Sequence, residues 1–482
     1  MRAYHAPVRV LAIDQGTSAT KAIVVDDGRV IATADASIEV RATSDGGVEL
    51  DPEELWASVR SAGGRALEAA GGSIDAVGLA NQGETVLAWD RASGVARSAA
   101  IVWQDRRASR VCERLAPYAA ELASITGLEL DAYFVAPKLV WLREQMAEAA
   151  DGLAITTTDT WLLHRLTGAF VTDAATASRS LLLDLDAVTW SPRACELFAI
   201  EPDHLPAIVD NAGVIGETKA FGALAPVSGA CVDQQAALFA QGCLDVGETK
   251  CTYGTGAFLL TTTGSRPQRS HSGLVACVAW QLAGASTWCL DGQVFTVGAA
   301  VGWLQEVGLI SEPAELDALA ATVADAGGVT FVPALAGLGA PFWRADARGA
   351  FSGLSLGTTR AHLARAVLEG IAAQVAWLAR SVADDLGAPL ARLRVDGGLT
   401  RSRQLLQLQA DLAQVPVEVY PTPDATADGV AALARIGLTG ESPADVVRGW
   451  KSPLVLEPSI DATTALERLV AWRRVADTTG TL

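Results

Sequence analysis

Apolar and polar positions alternate in short blocks from the start of the chain. Val8 to Ile13 is an apolar run that stops at a turn of Gly16, Thr17 and Ser18. Lys21 to Val25 is a second run, closed by Asp26-Asp27-Gly28, and Val30 to Ser37 is a third. Short β-branched and aliphatic runs punctuated by Gly and Asp predict three strands of a meander. The period then changes. In "DPEELWASVRSAGGRALEAA", Leu55, Val59, Ala62, Leu67 and Ala70 recur near helical spacing, behind the helix start Asp51-Pro52-Glu53-Glu54. "IDAVGLA" reads as a further strand, leading into "NQGET".

The second half repeats the pattern. "ETKCTYGTGAFLLTTTG" carries a polar, β-branched run, a turn at Gly254 to Gly256, and the apolar run Ala257 to Leu260. "LRVDGGLTRSRQLLQLQADLAQ" predicts a strand, a Gly-Gly turn and a helix, and "VPVEVYPTPDATADGVAALARIG" a strand, a loop and a helix. Two Gly-Thr turns, one opening each half, predict duplicated α/β domains facing one cleft. The junction falls near Gly242, giving domains 1–242 and 243–482.

Composition agrees with two globular cores. The 482 residues are 50% hydrophobic and 19% charged, too long for one compact core and too apolar for disorder. A formal net charge of −18 disfavours nucleic acid and anionic lipid as partners. No uninterrupted apolar stretch of about 18 residues predicts a membrane span. Seven scattered cysteines form no CxxC pair, so neither a disulfide framework nor a zinc site is expected. The residues from Met1 run into the first strand without the apolar core of a signal peptide, and a cytoplasmic location is expected. Five histidines, from His5 to His362, lie far apart, and none falls in the turns or strand-end clusters that carry the candidate chemistry.

The candidate chemistry sits at strand ends. Glycine lets the backbone approach an anion closely, and neighbouring N–H groups and Thr hydroxyls can donate to phosphate oxygens. Either turn alone is equally compatible with an ordinary hairpin. Asp14, at the end of its strand, can partner Mg²⁺ beside a phosphate or cap its own turn. Asp233 precedes the helical "QQAALFAQG", as a helix N-cap or as a base that orients a substrate hydroxyl. "NQGET" and "IVWQDRR" bring Gln82, Glu84, Gln104, Asp105, Arg106, Arg107 and Trp103 to strand ends. Carboxylate, amide and indole together make a wall suited to a polyol, with Glu84 and Trp103 as ligand contacts. Arg106 and Arg107 fit salt bridges of a solvated loop as well as a ligand site. "VDGGLTRS" can lay backbone against an adenosine or serve close helix–strand packing.

These motifs, together with "TTDTWLLHRLTG", "TDAATASRSLLLDL", "SGACVDQQAALFAQG" and "FVPALAGLGAPFWRADARGAFSGL", resemble the FGGY carbohydrate kinases almost end to end, and among them the glycerol kinases most. The resemblance implies an α/β fold of two ribonuclease-H-like, actin-like ATPase domains around a central cleft. It implies ATP and Mg²⁺, a small polyol or sugar as substrate, and a homodimer or homotetramer. It also implies roles. Asp233 matches the catalytic base and Asp14 the magnesium-associated carboxylate. Thr17, Ser18 and Lys21 match the first phosphate contacts, and Thr252, Gly254 and Thr255 the second. Gly397, Gly398 and Ser402 fall where adenosine is held. Glu84, Trp103, Tyr133, Asp233, Gln234 and Phe258 fall where glycerol is held.

The chain departs from that pattern at Gly83, where glycerol kinases carry arginine ("NQRET"), and at Lys21, where they also carry arginine. Losing a charged donor to a substrate hydroxyl costs about 1.5–3 kcal/mol. The vacated space is expected to admit a longer substrate. On overall resemblance glycerol phosphorylation is the leading expectation, and Gly83 makes a longer polyol or a ketose (erythritol, threitol, xylulose or ribulose type) the alternative. A non-catalytic ATP-binding regulator on the same fold is the alternative of another class.

Overall fold

The structure, a computed structural model, describes residues 7–146, 152–222 and 224–480; His5 lies outside them. Ten strands, numbered in chain order, build two copies of one motif. In the first, β1 (Arg9–Gln15), β2 (Ala19–Asp26) and β3 (Arg29–Ser37) form the expected antiparallel meander. β4 (Ala76–Asn81) and β5 (Ala225–Val232) then add in parallel beside β1, giving the order β3-β2-β1-β4-β5. In the second, β6 (Thr249–Tyr253), β7 (Ala257–Gly264) and β8 (Ala285–Val294) pair antiparallel in that order, with the strand Val275–Leu282 interposed in the chain between β7 and β8. β9 (Leu393–Asp396) and β10 (Val417–Val419) are the parallel additions, giving β8-β7-β6-β9-β10. The duplication expected from two Gly-Thr turns is thus visible in the sheet order, with Val275–Leu282 added in the second copy.

The two sheets join into one of 13 strands through Val275–Leu282 and Ala212–Thr218, which meet at the single pair Ala212 and Leu282. Helix α1 (Pro52–Ala69) starts where the sequence places it. Asp51 caps it by accepting from the Glu53 and Glu54 amides, and Leu55, Val59, Ala62 and Leu67 turn inward. Helix α2 (Asp233–Ala240) follows β5 directly. Helix α3 (Arg360–Leu386) is the core helix of the second half. By length and hydropathy it could cross a bilayer, but 78% of its most apolar window is buried inside the protein.

Helix α4 (Ala425–Thr439) belongs to the second half in sequence but lies across β1, β4 and β5 of the first sheet and against α2. Glycines allow that approach. A Cβ at Gly78 of β4 would sit 2.6 Å from the Val430 carbonyl oxygen, and one at Gly229 of β5 would sit 2.5 Å from the Ala434 nitrogen. The Ser228 hydroxyl donates to the Ala434 carbonyl at 2.8 Å. The N-terminus of α4 thereby reaches the cleft, where Thr426 Oγ1 donates to the Asp233 carbonyl at 3.3 Å.

Candidate active site

Both Gly-Thr turns open onto one cavity of about 160 Å³. In the first, the Gly16 amide donates to the Ala19 carbonyl at 3.0 Å, leaving Thr17 and Ser18 at the tip. In the second, the Gly254 amide donates to the Gly256 carbonyl at 2.9 Å, and Thr252, Gly254 and Thr255 face the cavity. A side chain at Gly254 would meet no heavy atom closer than 3.9 Å, so the backbone there lies open to an incoming group. Gly83, Glu84, Trp103, Tyr133, Asp233, Gln234 and Phe258 complete the wall. Twelve expected residues from both halves therefore share one space.

Five expected residues lie outside that wall. Asp14 faces Lys21 across the β1–β2 pair, and Lys21 Nζ is ion-paired with Asp424 at the start of α4. Gly397 has φ +96° and approaches Tyr253 so closely that a Cβ would lie 2.4 Å from the Tyr253 carbonyl oxygen. Gly398 opens the turn Gly398–Arg401 with nothing within 4 Å of its missing Cβ. Ser402 caps the helix Arg403–Ala413, accepting from the Leu405 amide at 3.0 Å, and its hydroxyl donates to Asp317.

Asp233 is not the helix N-cap. Val232 holds that position, and Asp233 is the first helical residue. Its Oδ1 accepts from the Gln234 amide at 2.7 Å, and the positive end of the helix dipole favours its charged form. Burial and the neighbouring Glu84 charge outweigh those effects and Lys250, and push its pKa up to about 6. Lys250 is fully buried and donates to Gln234 Oε1 at 2.7 Å and Thr252 Oγ1 at 2.9 Å. Burial lowers its pKa. Asp14 is pushed up to about 7 by burial and by Asp233, with Lys21 pulling the other way and Asp424 and Asp396 adding to the rise.

The substrate-facing wall is tied to the first turn. Trp103 Nε1 donates to Thr17 Oγ1 at 2.9 Å, and Trp103 meets Tyr133 and Phe258 edge-on at 5.8 and 6.2 Å between ring centroids. Arg106 forks onto Asp131 at 2.6 and 3.0 Å. Asp131 in turn accepts from the Tyr133 amide at 2.7 Å, so this pair holds the Tyr133 loop. Arg107 pairs with Asp105 and Glu49. Both arginines thus make the salt bridges that the sequence left open.

The place of a Cβ at Gly83 is filled. A Cβ at Gly83 would lie 2.6 Å from Val232 Cγ2 and 3.6 Å from Arg179 Cγ. Arg179 and Asp291 also line the cavity, and the sequence reading missed both. It also missed Lys250, Asp396 and Asp424. Asp396 had a readable signal: an acid closing an apolar strand before Gly-Gly, where it accepts from Thr252 Oγ1 at 2.6 Å. Arg179 had a fainter one, a lone charge within "AATASRSLLL", which in a folded chain requires a buried partner.

Known proteins place the chain in a family. Residues 9–240 match the N-terminal domain of the FGGY family of carbohydrate kinases, and residues 249–438 match its C-terminal domain. The chain belongs to the FGGY family of carbohydrate kinases. Among its FGGY relatives is a glycerol kinase of Thermus brockianus, 44% identical over 484 residues that cover 97% of this chain and 98% of that one. A glycerol kinase of Gloeobacter violaceus is 45% identical over 436 residues, covering 89% and 88%. The crystal structure of Plasmodium falciparum glycerol kinase with ADP superposes with a TM-score of 0.89 at 31% identity, covering 98% of each chain. The duplicated sheet is thus the two-domain actin-like fold of FGGY kinases, and the protein is an ATP-dependent sugar or polyol kinase.

In this FGGY kinase, several aspartates are held protonated at higher pH than in an unfolded chain. Asp173 is pushed up to about 7 by burial and then by the Asp159 charge; Asp428 is pushed up to about 6, also chiefly by burial. Unfolded aspartate titrates near 3.8. Between that value and the folded ones the folded state binds more protons, so stability falls as pH rises through the window. The ligand-free protein is therefore expected to melt several degrees higher at about pH 5.5 than at about pH 8. Scanning calorimetry checks this, and a melting temperature that climbs across that range contradicts it.

Proposed function

We propose that this protein transfers the γ-phosphoryl group of ATP to a terminal hydroxyl of glycerol, forming glycerol 3-phosphate. The supporting observation is the convergence of Asp233, Glu84 and the Trp103–Tyr133–Phe258 aromatic group with both Gly-Thr turns in one cavity. The names of the relatives agree with it. The wall carries Glu84, Asp233 and Asp291 against Arg179, an excess of negative charge that favours a neutral polyol over a sugar acid. The cavity is small, about 160 Å³, with Val232 packed over Gly83, which favours glycerol over erythritol, threitol or a ketose.

Asp233 is the group placed to hold the attacking hydroxyl. With its pKa near 6 it is ionised at neutral pH, and it orients the oxygen and accepts the proton late in a loose phosphoryl-transfer step. In this reading the Thr17–Ser18 and Thr252–Thr255 turns bind the phosphates, and Gly397 and Gly398 lie against the adenosine. Mg²⁺ fits beside Asp14: its carboxylate is buried near Asp233, Asp424 and Asp396, whose charges add up against it while Lys21 opposes them. Among the described residues no three His, Cys, Asp or Glu side chains cluster to hold a metal. That suits an ion held mostly by phosphates and water with one or two carboxylates. When bound, it neutralises charge developing on the phosphate oxygens.

A coupled ADP-release assay with Mg-ATP tests the reading. Glycerol, erythritol, threitol, xylitol, dihydroxyacetone, xylulose, ribulose and gluconate are compared. Glycerol is expected to have the highest kcat/KM, and gluconate no measurable turnover. Preference for a longer polyol or ketose would replace glycerol as substrate, and silence across the panel would favour a regulator on the same fold.

A further inference from the structure

Position 83 offers no side chain to a substrate, and the methyls of Val232 occupy the place where one would start. An arginine nevertheless reaches this cavity from elsewhere. Arg179 follows the short helix Ala174–Ala177, its amide held by the Thr176 carbonyl at 3.0 Å. Its side chain is only 3% exposed and lies over the rings of Tyr133 and Phe134.

The guanidinium is held at two of its three nitrogens. Nε donates to Glu84 Oε1 at 2.7 Å; Nη1 donates to Asp291 Oδ2 at 2.7 Å and meets Cys277 Sγ at 3.4 Å. Burial opposes its charge, but Asp291 and Glu84 more than compensate and keep it protonated. Nη2 donates to no described group, and Glu84 Oε2 accepts from none. Nη2 belongs to a residue that lines the substrate cavity, so a group bound there can take up its free donor. Both residues line the cavity and are joined through Nε and Oε1, and a free donor on one with a free acceptor on the other complements a hydroxyl, which can both accept and donate.

We propose that Arg179 is a substrate-binding, specificity-determining residue: Nη2 donates to the oxygen of a non-reacting substrate hydroxyl while Glu84 Oε2 accepts its proton. Arg179 thereby supplies, from the segment after Ala174–Ala177, a charged donor that Gly83 cannot. Asp291 is a positioning residue, fixing the plane of the fork so that Nη2 faces the substrate. The inference rests on the polyol kinase reading.

The test compares glycerol with 1,3-propanediol, which lacks the inner hydroxyl, in the wild type and in Arg179→Lys, each with ATP varied. The wild type is expected to favour glycerol by about ten- to a hundredfold in kcat/KM. Arg179→Lys keeps the charge but loses the planar fork. Its KM for glycerol is expected to rise about ten- to a hundredfold, with KM for ATP unchanged and the preference over 1,3-propanediol largely abolished. A folded Arg179→Lys protein that keeps the wild-type preference overturns the inference. If that variant does not fold, a crystal structure of the wild type with glycerol and a non-hydrolysable ATP analogue decides. Nη2 within hydrogen-bonding distance of a glycerol oxygen supports the inference, and Nη2 directed elsewhere overturns it. Wild-type protein that turns over no polyol removes the underlying reading instead, and the inference with it.

Discussion

Asp233→Asn lowers kcat by about 10³-fold while leaving KM for ATP nearly unchanged. Asparagine keeps the shape, and its carbonyl oxygen can still accept from the Gln234 amide that now bonds Oδ1 at 2.7 Å. It cannot take a proton. The size of the loss reflects what a general base contributes to a step otherwise dominated by positioning and charge stabilisation. The pH profile gives a second readout. Wild-type kcat/KM is expected to fall with acid below about pH 6, where Asp233 protonates. Asp233→Asn has no such group, so its residual rate should lack that limb. A loss of less than about fivefold, or an acid limb that survives the substitution, would exclude Asp233 as the base.

Gly429→Ala is expected to destabilise the protein by about 3 kcal/mol or more, and to impair catalysis with it. Residue 429 lies on α4, where a Cβ would stand 1.9 Å from the Ala236 carbonyl oxygen and 2.5 Å from its carbon. That atom belongs to the backbone of α2, so one helix must move, and Asp233 sits one turn away on the same helix. Helix propensity acts in the opposite direction, since Gly→Ala within a helix is favourable by up to about 1 kcal/mol. The clash is the larger effect. Gly64→Ala in α1 is the control: no heavy atom lies within 4 Å of its missing Cβ. It should stabilise by about 0.5–1 kcal/mol. Urea unfolding of both variants checks the pair. A Gly429→Ala protein as stable as wild type would mean that α2 and α4 separate without penalty.

The meander strands, the start of α1 and the strand–turn–strand repeats were legible because each is written in a local period. Alternation and Gly punctuation mark β1 to β3, and Asp51-Pro52 with inward Leu55 and Val59 marks α1. Much of the cavity wall was legible for a related reason. Glu84, Trp103 and Asp233 lie at or just beyond strand ends, where α/β sheets present their ligands. Asp233 was misread only in detail. A small-residue run before a helix predicts an N-cap, but the backbone becomes helical at Asp233 itself, leaving Val232 as the cap.

By itself the sequence determined the duplicated α/β plan, the two Gly-Thr turns, and Asp14, Glu84 and Asp233 near strand ends. These depend on neighbours a few positions apart, and backbone sterics translate them directly into strands, turns and helix starts. Only the tertiary structure decided which arginine enters the cavity, what fills the space beside Gly83, and where α4 packs. Arg179 meets Glu84 across 95 positions and Asp291 across 112, and Gly429 meets Ala236 between helices from opposite halves. Such contacts are fixed by the path of the whole chain and by the need to pair a buried charge, and no local period records either.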